Sequence, residues 1–201
     1  MCPAARCLAA LTALVAMAAL LAQFTVTAGL QVPPDAMAAL CQMAGYFTVL
    51  TNVAVAAYFA AIALGRQIPP SSTGGPVLWI GMTGIIYHLL LSGLWAPQGL
   101  AWWADQGLHS ATPLLTLVWW LAFAPPARPG GRQVAGWLLW PLAYCGYAMA
   151  RGTVTGFWPY PFLDPARHGV AGVGLNIVGL MAAFAALAVL IALIDRRRFN
   201  R

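Results

Sequence analysis

Six long apolar stretches limit what this chain can fold into. An α-helix rises about 1.5 Å per residue, so about 20 apolar residues cross a hydrocarbon core of about 30 Å. Breaks rich in Pro, Gly or charge separate the stretches, and no alternating strand pattern is present. We therefore predict an all-α, polytopic integral membrane protein. It would be a bundle of six transmembrane helices in one membrane domain covering 1–201, with helices at about 8–30, 37–64, 77–95, 104–123, 134–150 and 170–194.

Composition excludes the other broad classes of protein. Hydrophobic residues make up 62% of the chain and charged residues 7%, whereas soluble domains carry about 25% charged residues. That is too few charges to cover the surface of a soluble domain. A disordered chain is excluded as well, because disordered chains combine low hydrophobicity with high charge. The formal charge of +6 is explained by loop arginines acting as topology signals. We expect a multi-pass protein of the cell membrane, with membrane lipids as partners and no nucleic acid.

The arginines predict how the helices are oriented. With the N-terminus in the cytoplasm, eight arginines lie on that side and two, Arg151 and Arg167, on the other. Cytoplasmic loops are enriched in Arg and Lys, so both termini are predicted to be cytoplasmic. The first stretch also resembles a secretory signal peptide ending near Ala28. Its apolar run is longer than a signal core, and Pro33-Pro34 ends the helix, which favours a retained helix.

Polar side chains inside the apolar stretches are costly in lipid, so their positions carry information. In the second stretch, Thr48 and Asn52 are four residues apart and share a helix face, with Thr51 beside them. Such residues often bond a backbone carbonyl or a neighbouring helix. The alternative is a hydroxyl nucleophile held by an amide.

A histidine in the third stretch forms a second polar cluster. His88 shares a face with Ser92 and is surrounded in sequence by leucines. An imidazole buried among leucines is costly without a hydrogen bond, so we expect His88 to have a partner.

The start of the fourth stretch carries a polar stripe. Asp105, His109, Thr112 and Thr116 occur at i, i+4, i+7 and i+11. A carboxylate one turn before an imidazole can fix its tautomer, and the imidazole can then take a proton from a hydroxyl. Asp105 could equally be a charge at a helix N-terminus, which the helix dipole favours.

A fourth cluster lies in the fifth stretch and the loop after it. Tyr144 and Arg151 share a helix face. Arg151 opposes the positive-inside bias, so we expect it to be held by Asp164 or Asp105. Asn176, early in the sixth stretch, is predicted at the same level.

Several familiar sites are absent from the sequence. It has no G-x-S-x-G elbow, no phosphate-binding Gly loop, no H-E-x-x-H motif and no cysteine pair. His88, His109 and His168 are not at metal-ligand spacing. We expect no cofactor and no metal.

Taken together, the polar clusters resemble the Pr6Pr family of bacterial six-helix membrane proteins. The resemblance covers nearly the whole chain after the first helix and implies a six-helix membrane fold without implying an activity. The matching runs are Phe47-Thr-Val-Leu-Thr-Asn52, Tyr87-His-Leu-Leu-Leu, Gly93-Leu-Trp-Ala-Pro-Gln-Gly99, Asp105-x-x-Leu-His109-x-x-x-Pro113, Trp140-Pro-Leu-Ala-Tyr144-x-x-Tyr147 with Arg151-Gly152, and Pro159-Tyr-Pro-Phe-Leu-Asp164.

More distantly, the layout is similar to the eukaryotic androgen-induced and androgen-dependent TFPI-regulating membrane proteins. These are regarded as threonine hydrolases that cleave fatty-acid esters of hydroxy fatty acids with one intramembrane Thr and one His. The resemblance implies Thr48 or Thr51 as nucleophile and His109 as base, with His88 as a second candidate base.

The resulting hypothesis is an intramembrane lipid-ester hydrolase. Asp105 would orient His109, and Asn52, Tyr144 or His88 would stabilise the oxyanion. Two other classes stay open: a non-catalytic carrier of a lipid or amphiphile, and a structural membrane protein whose polar residues only join helices.

Overall fold

The computed structural model describes residues 1–200, of which helices form the great majority. The chain is 80% helix, and no strand occurs among the described residues, so the all-α prediction is confirmed. The α-helices are α1 (Pro3–Gly29), α2 (Ala36–Met43), α3 (Phe47–Ala63), α4 (Gly74–Ile86), α5 (Leu100–Gln106), α6 (Thr112–Phe123), α7 (Gly131–Trp137), α8 (Leu139–Thr155) and α9 (Pro165–Phe199). A π-helical turn, Tyr87–Leu91, continues α4, and a second, Gly107–Ala111, joins α5 to α6.

Helix length and apolarity identify a membrane protein. Three helical stretches are long and apolar enough to cross a bilayer: Pro3–Gly29, Pro70–Leu91 and Pro165–Phe199. A fourth is added if α2 and α3 together form one bent span.

The second predicted helix, 37–64, is not straight. It is divided into α2 and α3, which meet at 91°. The main-chain N–H of Ala44 bonds back to Leu40 and closes α2, while Tyr46 adopts an extended conformation (φ −98°, ψ 131°) before α3 begins. Thr48 is therefore the second residue of a helix rather than the middle of one.

Several of the approximate helix boundaries differ from those of the structure, and two of the differences have local reasons. The fourth stretch starts at Leu100 rather than at residue 104, because Gly99 takes up a positive φ of 57° that favours glycine. The fifth stretch is broken after Trp137. Pro141 has no N–H to donate to the Trp137 carbonyl, so a continuous helix cannot pass this point without losing a hydrogen bond.

The chain divides into two compact units, Met1–Pro126 and the part from Ala127 onward. In the first unit, α1 packs against α2, α3, α5 and α6. Its buried face is lined by small residues that allow close helix approach: Ala5, Ala9, Ala16 and Ala19. Arg6 bonds the Ala63 carbonyl at the end of α3, at 2.9 and 3.0 Å.

The second unit contains α7, α8 and α9. Arg128 bonds Asn200 and lies 4.5 Å from the centre of the Phe199 ring. Arg196 donates to the Pro129 carbonyl at 2.7 Å. These contacts hold the end of α9 against the loop that precedes α7.

Candidate active site in the first unit

The start of α3 and the second π-turn bring a hydroxyl and an imidazole together. Thr48 Oγ1 lies 3.3 Å from His109 Nε2, although 61 residues separate them in sequence. Thr48 is buried, and the His109 side chain is 14% exposed. The pair is therefore shielded but can still be reached through the imidazole.

The position of Thr48 in α3 explains why its hydroxyl is available. Within a helix, a threonine commonly donates to the carbonyl four residues earlier. Thr12 and Thr83 do so, at 2.8 and 2.9 Å. The residue four before Thr48 is Ala44, which caps α2 before the bend, and the Thr48 hydroxyl instead contacts His109.

The surroundings of His109 Nδ1 define its tautomer. Nδ1 lies 3.0 Å from the main-chain carbonyl of Asp105. A carbonyl can only accept a hydrogen bond, so Nδ1 carries the hydrogen and Nε2 offers a lone pair. Thr48 is therefore the donor to Nε2, which is the arrangement that a general base needs.

The Asp105 carboxylate lies beside the same imidazole. Its side chain is 0% exposed, and Oδ1 is 3.2 Å from His109 Nδ1. Oδ1 nevertheless accepts no hydrogen bond, because the Nδ1 hydrogen is directed at the main-chain carbonyl. Asp105 thus lies beside His109 as a buried carboxylate in contact with the imidazole rather than as the acceptor of the Nδ1 hydrogen. The alternative role as a helix N-terminal charge is wrong, because Asp105 lies beyond the first turn of α5.

The π-turn that carries His109 has local causes. Pro113 cannot donate to the His109 carbonyl four residues earlier, which weakens α-helical bonding at this point. The Thr112 hydroxyl donates instead to Gly107, five residues earlier, at 2.8 Å. A Cβ on Gly107 would lie 2.5 Å from Ala19 Cβ, so α1 packs directly on the turn. Such π-turns often occur at functional sites.

Tyr87 completes the surroundings of the imidazole and was not among the residues expected at the site. Its hydroxyl donates to Asp105 Oδ2 at 2.5 Å. Its ring stacks on the His109 ring, with centroids 3.9 Å apart. Tyr87 stands next to His88 in a motif that the sequence singled out, but the partner of its hydroxyl lies on another helix.

His88 is exposed, so the expectation of an imidazole buried among leucines was wrong. Its Nε2 is 3.0 Å from Ser110 Oγ. Ser110 donates to Gln106 Oε1 at 2.9 Å, and Gln106 Nε2 donates to Asp105 Oδ2 at 3.2 Å. The expected partner of His88 is thus a serine on the second π-turn.

Asn52 joins α3 to the π-turn. Its Nδ2 donates to the Thr48 carbonyl at 2.9 Å and to the Leu108 carbonyl at 3.2 Å. Both amide hydrogens are used, so Asn52 has no donor left for an oxyanion, while its Oδ1 is buried without a partner. Thr51 is also fully buried in α3, but the hydroxyl beside His109 is that of Thr48.

The remaining predicted site residues belong to the second unit. Arg151 donates to the Tyr147 hydroxyl at 3.2 Å and lies 5.3 Å from the centre of the Phe157 ring. Asp164 instead accepts from the Ala166 N–H at 2.9 Å at the start of α9. The expected pairing of Arg151 with Asp164 is therefore wrong.

Tyr144 and Asn176 both contact the segment that joins α8 to α9. Tyr144 is buried, and its ring centroid is 6.4 Å from that of Tyr160. Asn176 donates to the Phe162 carbonyl at 2.8 Å. Both residues therefore have local structural contacts.

Within residues 1–200, no three His, Cys, Asp or Glu side chains come close enough to hold a metal ion. No protein-family model matches the sequence, and no curated protein or solved structure matches it. The geometry of the chain itself therefore carries the functional argument.

Proposed function

We propose that this chain is a membrane-embedded hydrolase of lipid esters, with Thr48 as nucleophile and His109 as general base. The observation that carries the proposal is the 3.3 Å approach of Thr48 Oγ1 to the lone-pair nitrogen of His109. Catalytic hydrogen bonds of about 2.6–3.2 Å are often slightly longer in the absence of substrate and tighten when it binds, so this distance is compatible with proton transfer as the hydroxyl attacks. Asp105, beside His109 Nδ1, stabilises the imidazolium that forms.

In the first step, Thr48 Oγ bonds to the ester carbonyl carbon and its proton passes to His109 Nε2. The tetrahedral intermediate collapses, the bond to the alkoxy oxygen breaks, and the imidazolium returns the proton to the leaving alcohol. In the second step, His109 takes a proton from water, the hydroxide attacks the acyl-threonine, and Thr48 leaves with the proton restored. A fatty acid and an alcohol are the products.

The first turn of α3 supports charge stabilisation at the same place. Main-chain N–H groups in a first turn have no preceding helical carbonyl to bond, and they stand at the positive end of the helix dipole. Thr48 and Val49 both lie in this turn. Their N–H groups are suited to stabilising an oxyanion that develops next to Thr48 Oγ.

Six spans and two cytoplasmic termini form part of the proposal. In that topology, the start of α3, the end of α4 and the start of α5 all lie on the extracytoplasmic side of the cell membrane. Thr48 at the start of α3 contacts His109 in the π-turn after α5. Tyr87, directly after α4, contacts Asp105 near the end of the short helix α5. Exposed Trp102 and Trp103 on α5 suit the membrane interface, where Trp is enriched.

The membrane setting favours a lipid as the source of the ester. The π-turn after α4 exposes Leu89 and Leu90, at 76% and 63%. An acyl chain in the outer leaflet can lie along this surface with its carbonyl at the level of the buried polar site. Membrane lipids are accordingly the proposed partners.

The test uses purified protein, p-nitrophenyl fatty-acyl esters of graded length and a fluorophosphonate probe. Wild type should release p-nitrophenol and take up the probe, and Thr48→Ala and His109→Ala should lose both. The matched control is Thr25→Ala, because Thr25 bonds only its own helix at Leu21 and is exposed. Tight lipid retention with no turnover would identify a carrier and contradict the proposal. Unfolding of both site variants, with no turnover by wild type, would identify a structural protein.

A further inference from the structure

The carboxylate of Asp105 is reached from the protein surface by a chain of three side chains. The chain starts at exposed His88, passes through Ser110 and Gln106, and ends at Asp105 Oδ2, with steps of 3.0, 2.9 and 3.2 Å. The carboxylate is 0% exposed. A buried carboxylate needs hydrogen bonds to remain charged, so these contacts bear on the chemistry of His109.

The direction of every bond in the chain can be assigned. An ionised carboxylate only accepts, so Gln106 presents Nε2 to it and Oε1 to Ser110. The single hydroxyl hydrogen of Ser110 is donated to Gln106 Oε1. The Ser110 oxygen must therefore accept from His88, which carries a hydrogen on Nε2.

We infer that His88, Ser110 and Gln106 act as positioning residues that hold the Asp105 carboxylate against His109. The inference rests on the proposed function. His88 is thus not a second base: it acts through Ser110 and Gln106, and its hydrogen bond strengthens the two that follow, because bonds in one chain polarise each other. Tyr87 also donates to Asp105 Oδ2, at 2.5 Å.

If these residues position Asp105, their loss should lower kcat and leave KM unchanged. Ser110→Ala and Gln106→Met each remove a link without touching Thr48 or His109. Gln106→Met removes a hydrogen bond to the carboxylate itself, so kcat should fall about tenfold, with KM unchanged. Ser110→Ala removes bonds between neutral groups and should lower kcat by a smaller factor, again with KM unchanged. Ser110→Thr restores the hydroxyl and should recover activity. His88→Gln keeps a donor and should retain more activity than His88→Ala.

The experiment measures kcat and KM for p-nitrophenyl laurate, together with thermal unfolding. Ser92→Ala is the matched control, because Ser92 is exposed and its hydroxyl donates only to the His88 main-chain carbonyl, at 3.2 Å. Lower kcat at constant KM in both chain variants, with recovery in Ser110→Thr, supports the inference. If Thr48→Ala abolishes turnover while the chain variants equal wild type, the inference is wrong and the proposed function stands. If Thr48→Ala retains full turnover, the proposed function fails, and the inference with it.

Discussion

The Tyr87 ring lies nearly parallel to the His109 imidazole, with centroids 3.9 Å apart and planes inclined by 13°. The same tyrosine donates its hydroxyl hydrogen to Asp105 at 2.5 Å. One side chain therefore fixes both the plane of the imidazole and the position of the carboxylate beside it.

The two contacts of Tyr87 can be separated by substitution. Tyr87→Phe keeps the stacked ring and removes the donor to Asp105, so we expect kcat to fall about tenfold. Tyr87→Leu removes both contacts and should lower kcat further. Steady-state hydrolysis by the two variants checks this order; equal losses would show that the hydroxyl does not matter.

A substitution at Gly107 tests whether the second π-turn must pack tightly on α1. A Cβ at this position would lie 2.5 Å from Ala19 Cβ, so Gly107→Ala should destabilise the fold by about 1–3 kcal/mol. Ala19→Gly in the same protein removes the opposing methyl group and should restore stability. Gly146→Ala is the control, because nothing lies within 4 Å of the added methyl. Thermal unfolding in detergent gives the comparison, and an unaffected Gly107→Ala would contradict the packing.

Asn52 is expected to stabilise the site rather than to take part in the chemistry. Asn52→Leu removes the side-chain donor from the Leu108 carbonyl and the second donor from the Thr48 carbonyl, at a cost of about 1–3 kcal/mol. Thr116→Val is the opposite case, because Thr116 Oγ1 is buried without a partner among the described residues. That isosteric change should leave stability equal or higher. Unfolding midpoints measure both, and a stable Asn52→Leu variant would contradict the role assigned to Asn52.

The sequence predicts a good part of this site and cannot predict the rest. Asp105 and His109 fall one helical turn apart, so local periodicity brings them together. The choice between Thr48 and Thr51 depends on the bend before Tyr46, which lies within an apolar run and has no Pro. The contact between Tyr87 and Asp105 joins different helices, and neither helix alone carries a sign of it.

The proposed topology predicts which cysteines a membrane-impermeant maleimide can reach. Cys2 is exposed near the start of α1. With Cys2 as the sole cysteine, intact cells should not be labelled until they are permeabilised. In a cysteine-free background, Ser92→Cys lies in the loop after α4 and should be labelled in intact cells. The reverse pattern would contradict cytoplasmic termini.

The central claim is that Thr48 is the nucleophile, and peptide mapping of the trapped adduct tests it most directly. Protein treated with the fluorophosphonate probe is digested, and tandem mass spectrometry locates the modified residue within the 47–52 segment. The account predicts the adduct on Thr48, its persistence in Thr51→Ala and its loss in Thr48→Ala. An adduct on Thr51, or equal labelling of Thr48→Ala, would contradict it.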